Sequence, residues 1–318
     1  MTPTDKKSYV FGPVASRRLG RSLGVDVVRP KTCSYDCIYC QIGRTTLKTL
    51  ERAEYVPTDE VIEQVREKLA RVERPDYITF SGSGEPTLHS RLGEIVAAIK
   101  RLTDVPVAIL TNGSLLWDAQ VRRECAQADL IVPSLDAGDE ALFRFVNRPH
   151  ADLDFSRMVE GLIQFRRDYG GRLWLEVLLL AGVTALPAEV EKIRRWVERI
   201  EPDRIQVNTV VRPPAEGFAF RIEDQQLTEL ARLLGDKAEV ITELAASETE
   251  TNVAARRDDI LALLARRPSA IEDIAFGLGV NRSEVAKCIS GLLADGSIRT
   301  IRKDDRLLFA LEDQAPKP

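Results

Sequence analysis

The chain has little of what usually staples a small fold or cages a metal. Among 318 residues there are five cysteines and two histidines, His89 and His150. Five is an odd number, and three of the five are crowded together, which does not make a secreted disulfide framework. Long apolar runs are missing too: the longest, such as WLEVLLLAGV at 174–183, reach about half the length of a membrane span. The N-terminal MTPTDKKSYVFGPV lacks the uninterrupted apolar core of a secretory signal. What is present is the ordinary make-up of a globular protein, 44% hydrophobic and 30% charged, long enough for one large domain and a small one. These traits predict a protein of the reducing cytoplasm with no membrane partner.

Charge is unevenly spread. The formal net charge is −4, yet residues 1–50 carry nine Lys/Arg against three Asp/Glu, whereas residues 251–318 carry eleven against ten. A basic N-terminal segment beside the cysteines points to an anionic ligand, the plainer alternative being a solvated basic face.

From residue 23 to about 212, apolar runs alternate with helical patterns. LGVDVV (23–28), YITF (77–80), VAILT (107–111), LIVPSL (130–135), WLEVLLL (174–180) and IQVNTVV (205–211) read as strands. Helices are expected over 57–72 with Thr58 as N-cap, near 89–101 and 117–127, and over 152–168 and 187–200. The pattern predicts an α/β fold with a parallel sheet or barrel, whose chemistry gathers in the loops after the strands. Those loops are KTCSYDCIYCQIG, SGSGEP, TNGS, SLDAG, AGVT and RPPAEG. A core of 1–245 is expected, then a polar linker at 246–257. A small module at 258–312 follows, with three short helices and a hairpin around Asp304–Asp305 that resemble a winged helix-turn-helix.

Cys33, Cys37 and Cys40 are three soft thiolate ligands suited to zinc, copper(I) or an iron–sulfur cluster. Structural zinc takes four protein ligands, and no other Cys or His is near in sequence; Cys125 belongs to a predicted helix and Cys288 to the other module. A cluster with one iron left open needs only three.

CxxxCxxC with Tyr39 before the last cysteine, after the first strand of a βα series, resembles the radical S-adenosylmethionine (radical SAM) superfamily. Gly82-Ser83-Gly84-Glu85-Pro86 resembles that family's Gly-Gly-Glu-Pro segment with one Ser-for-Gly change, and Thr111-Asn112-Gly113 and Ser134-Leu135-Asp136 resemble later family positions. The resemblance spans about residues 16–212. It implies a partial (β/α)6 barrel, a 4Fe-4S cluster on the three cysteines, and S-adenosylmethionine chelating the fourth iron. It also implies that Tyr39 flanks the adenine, that Gly82, Ser83, Gly84 and Glu85 receive the methionine amino group, and that Thr111, Asn112, Ser134 and Asp136 contact carboxylate or ribose. The chemistry so implied is reductive cleavage to a 5′-deoxyadenosyl radical that abstracts hydrogen from a substrate, fed by a one-electron donor of flavodoxin or ferredoxin type.

Substrate-facing candidates are Glu176, which interrupts an apolar strand, Gln206 and Asn208, which share a strand face, and Arg17 and Arg212 beside the first and sixth strands. Arg18, Arg21, Lys31 and Lys48 are further cations near the loop; His89 reads as structural, and His150 in VNRPH as an acid/base group or, the preferred reading, a hydrogen-bonded loop residue. Within the superfamily the motifs look most like a branch related to the tRNA wyosine-base synthase, without the cysteines for a second cluster. The leading expectation is therefore an enzyme acting on RNA or a nucleotide-like anion, with Arg282, Lys287, Arg299, Arg302, Lys303 and Arg306 as phosphate-facing candidates. The alternatives are a radical enzyme that modifies a peptide or protein, and an iron–sulfur sensor that binds DNA without turnover.

Overall fold

A computed structural model describes residues 8–16, 18–241, 257–303 and 306–312. Strands β1 (Val10–Ser16) and β2 (Gly20–Val25) form an antiparallel pair. Short β3 (Thr32–Cys33) and β4 (Leu47–Lys48) make a parallel ladder across the cysteine loop. Next come α1 (Thr58–Leu69), β5 (Tyr77–Phe80), α2 (Leu92–Leu102), β6 (Val107–Thr111), α3 (Ala119–Cys125) and β7 (Leu130–Pro133). Then follow α4 (Glu140–Val146), α5 (Phe155–Asp168), β8 (Arg172–Leu179), α6 (Pro187–Ile200), β9 (Arg204–Thr209), α7 (Asp224–Leu233) and β10 (Ala238–Val240).

One sheet runs in the order β1-β2-β5-β6-β7-β8-β9-β10, parallel throughout except for β1. The period of two sorts its side chains. Leu23, Val25, Ile78, Phe80, Leu175 and Val207 belong to the main core with the helices. A smaller cluster on alternate positions joins Ala108, Leu130, Val132 and Trp174, with Leu19 from the β1–β2 turn. Further along the strands, Glu176 and Asn208 stand at positions of this second register.

The six parallel strands expected from the apolar runs are β2, β5, β6, β7, β8 and β9. Strand β1 escapes a pattern search because Gly12-Pro13 interrupts it, and β10 because it has three residues. The helix expected at 152–168 starts at Phe155, where Asp154 caps it by accepting from Arg157 N at 2.8 Å. The unforeseen α4 has its own cap, Asp139, which accepts from Leu142 N at 2.9 Å. Thr58 is not a cap: Pro57 holds that position, and Glu54 accepts from Thr58 N at 2.8 Å. No described helix is long and apolar enough to cross a membrane.

The C-terminal region contains α8 (Arg257–Leu264), α9 (Ile271–Leu278), α10 (Arg282–Ala294) and a hairpin of β11 (Ile298–Lys303) and β12 (Arg306–Leu311). Ile260, Leu264, Ile274, Val285, Ile289 and Leu292 form its core, closed by Ile298 and Phe309. Gly279, at φ +65°, ends α9 in the left-handed region before Asn281 caps α10. Most of the expected linker, and Asp304–Asp305 at the hairpin tip, lie outside the described residues. Helices α8 and α9 pack on β1. Arg266 places its guanidinium 3.6 Å from the Phe11 ring centroid and pairs with Asp26 at 3.0 Å. On the other side, Arg212 pairs with Asp273 at 3.4 Å, and Arg306 donates to the Val211 carbonyl at 3.0 Å. The module thus bears on both ends of the parallel series, beside β2 and just after β9.

Candidate functional site

The cysteine loop follows β2 and is held along its length by the strap Val146–His150. His150 N donates to Ser34 O (2.8 Å), Asp36 N to Asn147 O (3.1 Å), and Ile38 N to Val146 O (2.9 Å). From another quarter, Glu216 N donates to Ile38 O at 2.9 Å. Ile38 is fully buried between the cysteines and packs with Val146, Leu180 and Ala219. The loop is therefore fixed by backbone bonds on two sides before any ligand is considered.

The loop after β5 is stitched to it by Lys31 N to Ser83 O (2.6 Å) and Glu85 N to Thr32 O (3.1 Å). Such closeness demands glycine. A Cβ on Gly84 would lie 1.8 Å from Thr32 O, and Gly82 has φ +119° with the Asp26 carboxylate where a side chain would go. Ser83 between them is unobjectionable, because its backbone does the work: Ser83 N donates to Asp26 Oδ1 at 2.9 Å.

Glu85 is turned inward. Its carboxylate accepts from Thr87 N (3.0 Å), Thr87 Oγ1 (2.6 Å), Thr111 Oγ1 (2.6 Å) and Asn112 N (2.7 Å), at 2% exposure. It joins the loop after β5 to the loop after β6. Asn112 carries the connection onward, donating through Nδ2 to Ser34 Oγ (2.8 Å) and to Cys33 Sγ (3.5 Å).

The loop after β7 behaves alike. Ser134 N continues the ladder to Thr111 O, and Asp136 accepts from Leu178 N (3.0 Å), Asn147 Nδ2 (3.0 Å) and the Tyr39 hydroxyl. Asn147 also places Nδ2 3.6 Å from Cys37 Sγ. Sequence reasoning passed over Asn147 for its neighbour His150. The only local hint was VNRPH, where Arg148 adopts φ 44° and so lets the strap turn after the asparagine.

Burial sets the electrostatics. It pushes the Cys33 thiol up to about 12, reinforced by the Glu85 charge, and raises Cys37 and Cys40 as well. The Asp136 carboxyl is pushed up to about 6 by burial, against the opposing pull of its hydrogen bonds from Tyr39, Leu178 and Asn147. Glu85 is raised for the same reason. A pocket lined by thiols and carboxyls that are costly to ionise together suits a bound group rich in positive charge. Among the described residues no three His, Cys, Asp or Glu side chains form a site for a single metal ion. Cys125 is fully buried in the main core, and Cys288 lies in the C-terminal module. Three free thiols on one loop, two of them met by amide N–H donors, fit a cluster that takes its last ligand from elsewhere.

The other candidates divide. Glu176 pairs with Arg18 and accepts weakly from Asn208 Nδ2 at 3.4 Å, so these three come together. Gln206 turns aside to Glu239 at 3.3 Å. Arg212 donates to Gln41 Oε1 at 3.0 Å, next to Cys40, besides pairing with Asp273. Arg17 lies outside the described residues. Arg21 pairs with Glu73, and Lys48 donates to the carbonyls of Arg148 and Pro149. In the module, Lys287 pairs with Glu284, and Arg306 is engaged on Val211. His89 is structural: Nε2 lies 3.0 Å from Val56 O and Nδ1 accepts from Arg91 N.

A strand-end face that gathers three cysteines on one loop, with glycine-framed and asparagine-bearing loops around it, defines a radical SAM domain, and the family comparison agrees. Residues 27–197 match the Radical SAM superfamily model, and the chain belongs to that superfamily. Over 312 residues it is 33% identical to a UPF0026 protein of Methanocaldococcus jannaschii, covering 95% of each chain. It is also 38% identical over 297 residues to a Brachyspira hyodysenteriae protein named GTPase Obg, covering 92% of this chain but spanning only 44% of that relative's length. The fold is like that of a crystallised radical SAM methyltransferase from Sphaerobacter thermophilus, with TM-score 0.54 and 18% identity over 69% of this chain and 66% of that one. The superfamily's cofactors, a 4Fe-4S cluster and S-adenosylmethionine, are those of this chain.

Proposed function

We propose that Cys33, Cys37 and Cys40 hold the cluster, that S-adenosylmethionine lies against the loops at 82–85, 111–112 and 134–136, and that the enzyme acts on a nucleotide-like anion, with RNA the first substrate to try. The observation that carries the assignment is the pair of amide donors, Asn112 on Cys33 from the loop after β6 and Asn147 on Cys37 from the C-terminal end of α4. Once bound, the cofactors supply reductive radical chemistry. The chain's own residues do the rest. The two asparagines donate to sulfur and stabilise it as thiolate. Gly82 and Gly84 allow close backbone approach, and Asp136 orients the Tyr39 hydroxyl. Glu85 holds two loops in register, so it acts here as a positioning residue.

The substrate reading rests on the basic segment 1–50 and on the placement of Arg18 and Arg212 at the two ends of the series. Residues 257–312, with three helices and a hairpin, form in this reading a winged-helix module for substrate recognition. The test is anaerobic. Reconstituted, reduced protein should convert S-adenosylmethionine to 5′-deoxyadenosine, and Cys33→Ala/Cys37→Ala/Cys40→Ala should not. A wild-type protein with a full, reducible cluster but no product would overturn the assignment.

A further inference from the structure

The strap that clasps the cysteine loop has two sides. Asn147 turns inward to Cys37, while two residues earlier the end of α4 turns outward: Phe145 is 47% exposed, and its ring lies 6.2 Å from that of Phe218, itself 43% exposed. Phe218 belongs to the segment whose Glu216 N holds Ile38 O. Two large aromatic rings thus stand in water over a loop that is otherwise firmly packed, which is unusual unless something covers them.

The rim is basic. Arg44 and Arg148 both pair with Glu216, at 2.5 and 2.6 Å. The Glu216 side chain is only 13% exposed while that of Arg44 is 63% exposed, so the acid lies beneath and a guanidinium faces out. Lys48, on carbonyls of the strap, adds a charge without a carboxylate partner in those bonds. An apolar centre with a cationic rim matches an acidic protein surface.

We propose that this surface, centred on Phe145 and Phe218 with Arg44, Lys48 and Arg148 around them, docks an acidic one-electron carrier protein. The inference rests on the radical SAM reading and says where its electron enters. Arg148 adjoins Asn147, whose Nδ2 lies 3.6 Å from Cys37 Sγ, so a carrier seated over the strap reaches a cluster ligand through one side chain. One electron leaves the reduced flavin or iron–sulfur centre of the carrier, which is oxidised by one unit, and the cluster on the three cysteines is reduced by one unit; no atom is transferred. A small, weak and salt-sensitive interface is what such encounters use.

The experiment compares a protein reductant with a chemical one on the full reconstituted chain. With a reduced acidic flavodoxin, Phe145→Ser/Phe218→Ser should need about tenfold more carrier for half-maximal 5′-deoxyadenosine formation. Lys48→Glu should weaken it severalfold, more so at low salt. With dithionite, both variants should match wild type. Calorimetric titration with oxidised flavodoxin should show the same order of affinities without any turnover. Unchanged carrier affinity and kinetics in both variants would overturn the proposal, as would loss of RNA binding in the aromatic variant with carrier kinetics intact. Wild type inert even with dithionite would instead sink the radical SAM reading itself.

Discussion

The strand-end face and the C-terminal module are held to the same sheet by different forces. At the strand ends, buried carboxylates accept from hydroxyls, amides and backbone: Glu85 from Thr87, Thr111 and Asn112, Asp136 from Tyr39, Asn147 and Leu178. No cation takes part in those bonds, which tie the loops directly to one another. The module is attached by arginines instead, Arg266 to Asp26 and Arg212 to Asp273. The first scheme makes a fixed socket. The second makes a docked part whose two contacts end next to the socket, since Asp26 also holds Ser83 N and Arg212 also reaches Gln41.

The largest effect should come from breaking the socket. Glu85→Ala removes the acceptor of four buried donors, and charge-assisted bonds of this kind contribute about 1.5–3 kcal/mol each when a partner is left stranded. Urea denaturation of the cofactor-free protein should show a loss of about 3 kcal/mol or more. Glu85→Gln, which keeps one acceptor oxygen, should lose less. Equal stability of wild type and the alanine variant would mean that Glu85 does not bracket the loops.

Arg266→Ala comes next. It strands Asp26, whose carboxyl burial already raises and which the guanidinium holds back toward the charged form. A loss of about 2–3 kcal/mol is expected, confined to the docking of the module rather than to the socket. Two-stage unfolding, with only the C-terminal transition moved, would support the contrast. In a double-mutant cycle with Asp26→Asn the coupling should exceed about 1 kcal/mol; additive effects would show that the pair is decorative.

How much of this was legible beforehand follows from the range of each interaction. Cys33, Cys37 and Cys40 form a local pattern within one loop, and the glycines at 82 and 84 stand in one short segment. A string of residues therefore reveals them, even though Asp26 and Thr32 are what require those glycines. Thr111-Asn112 could be found because it closes a short, continuous apolar run that reads as a buried strand. Asn147 could not: its partners Cys37 and Asp136 lie in two other loops, and nothing in its own neighbourhood is periodic. The Arg266–Asp26 contact spans 240 residues and was unreadable for the same reason. Glu176 was noticed as a polar residue in an apolar strand, but its partner Arg18 sits on a turn whose position depends on the unforeseen β1.

Between the two regions in size lies a pH effect of the socket's rear wall. His89 is buried, and burial lowers its pKa below 6.5, so the folded state refuses a proton that the unfolded chain accepts. Stability from this group is complete above about pH 6.5 and is lost as pH falls below it, by up to about 1.4 kcal/mol per pH unit until the lowered folded value is reached. The slope of urea stability between pH 7.5 and 5.5 should flatten in His89→Gln. An unchanged slope would assign the pH dependence to other groups.

The smallest effect separates the module's two contacts from each other. Arg212 and Asp273 are 16% and 19% exposed, and at 3.4 Å their pair is longer than the 3.0 Å of Arg266 and Asp26, whose side chains are 17% and 9% exposed. Water still reaches it, so Asp273→Asn should cost about 0.5 kcal/mol, an effect reduced further at high salt. Arg212 would keep its bond to Gln41, and the cysteine loop should not move. Small-angle scattering should therefore find Asp273→Asn as compact as wild type, with Arg266→Ala more extended. If Asp273→Asn alone released the module, the hold would lie at the β9 end, and the contact beside Asp26 would be its consequence.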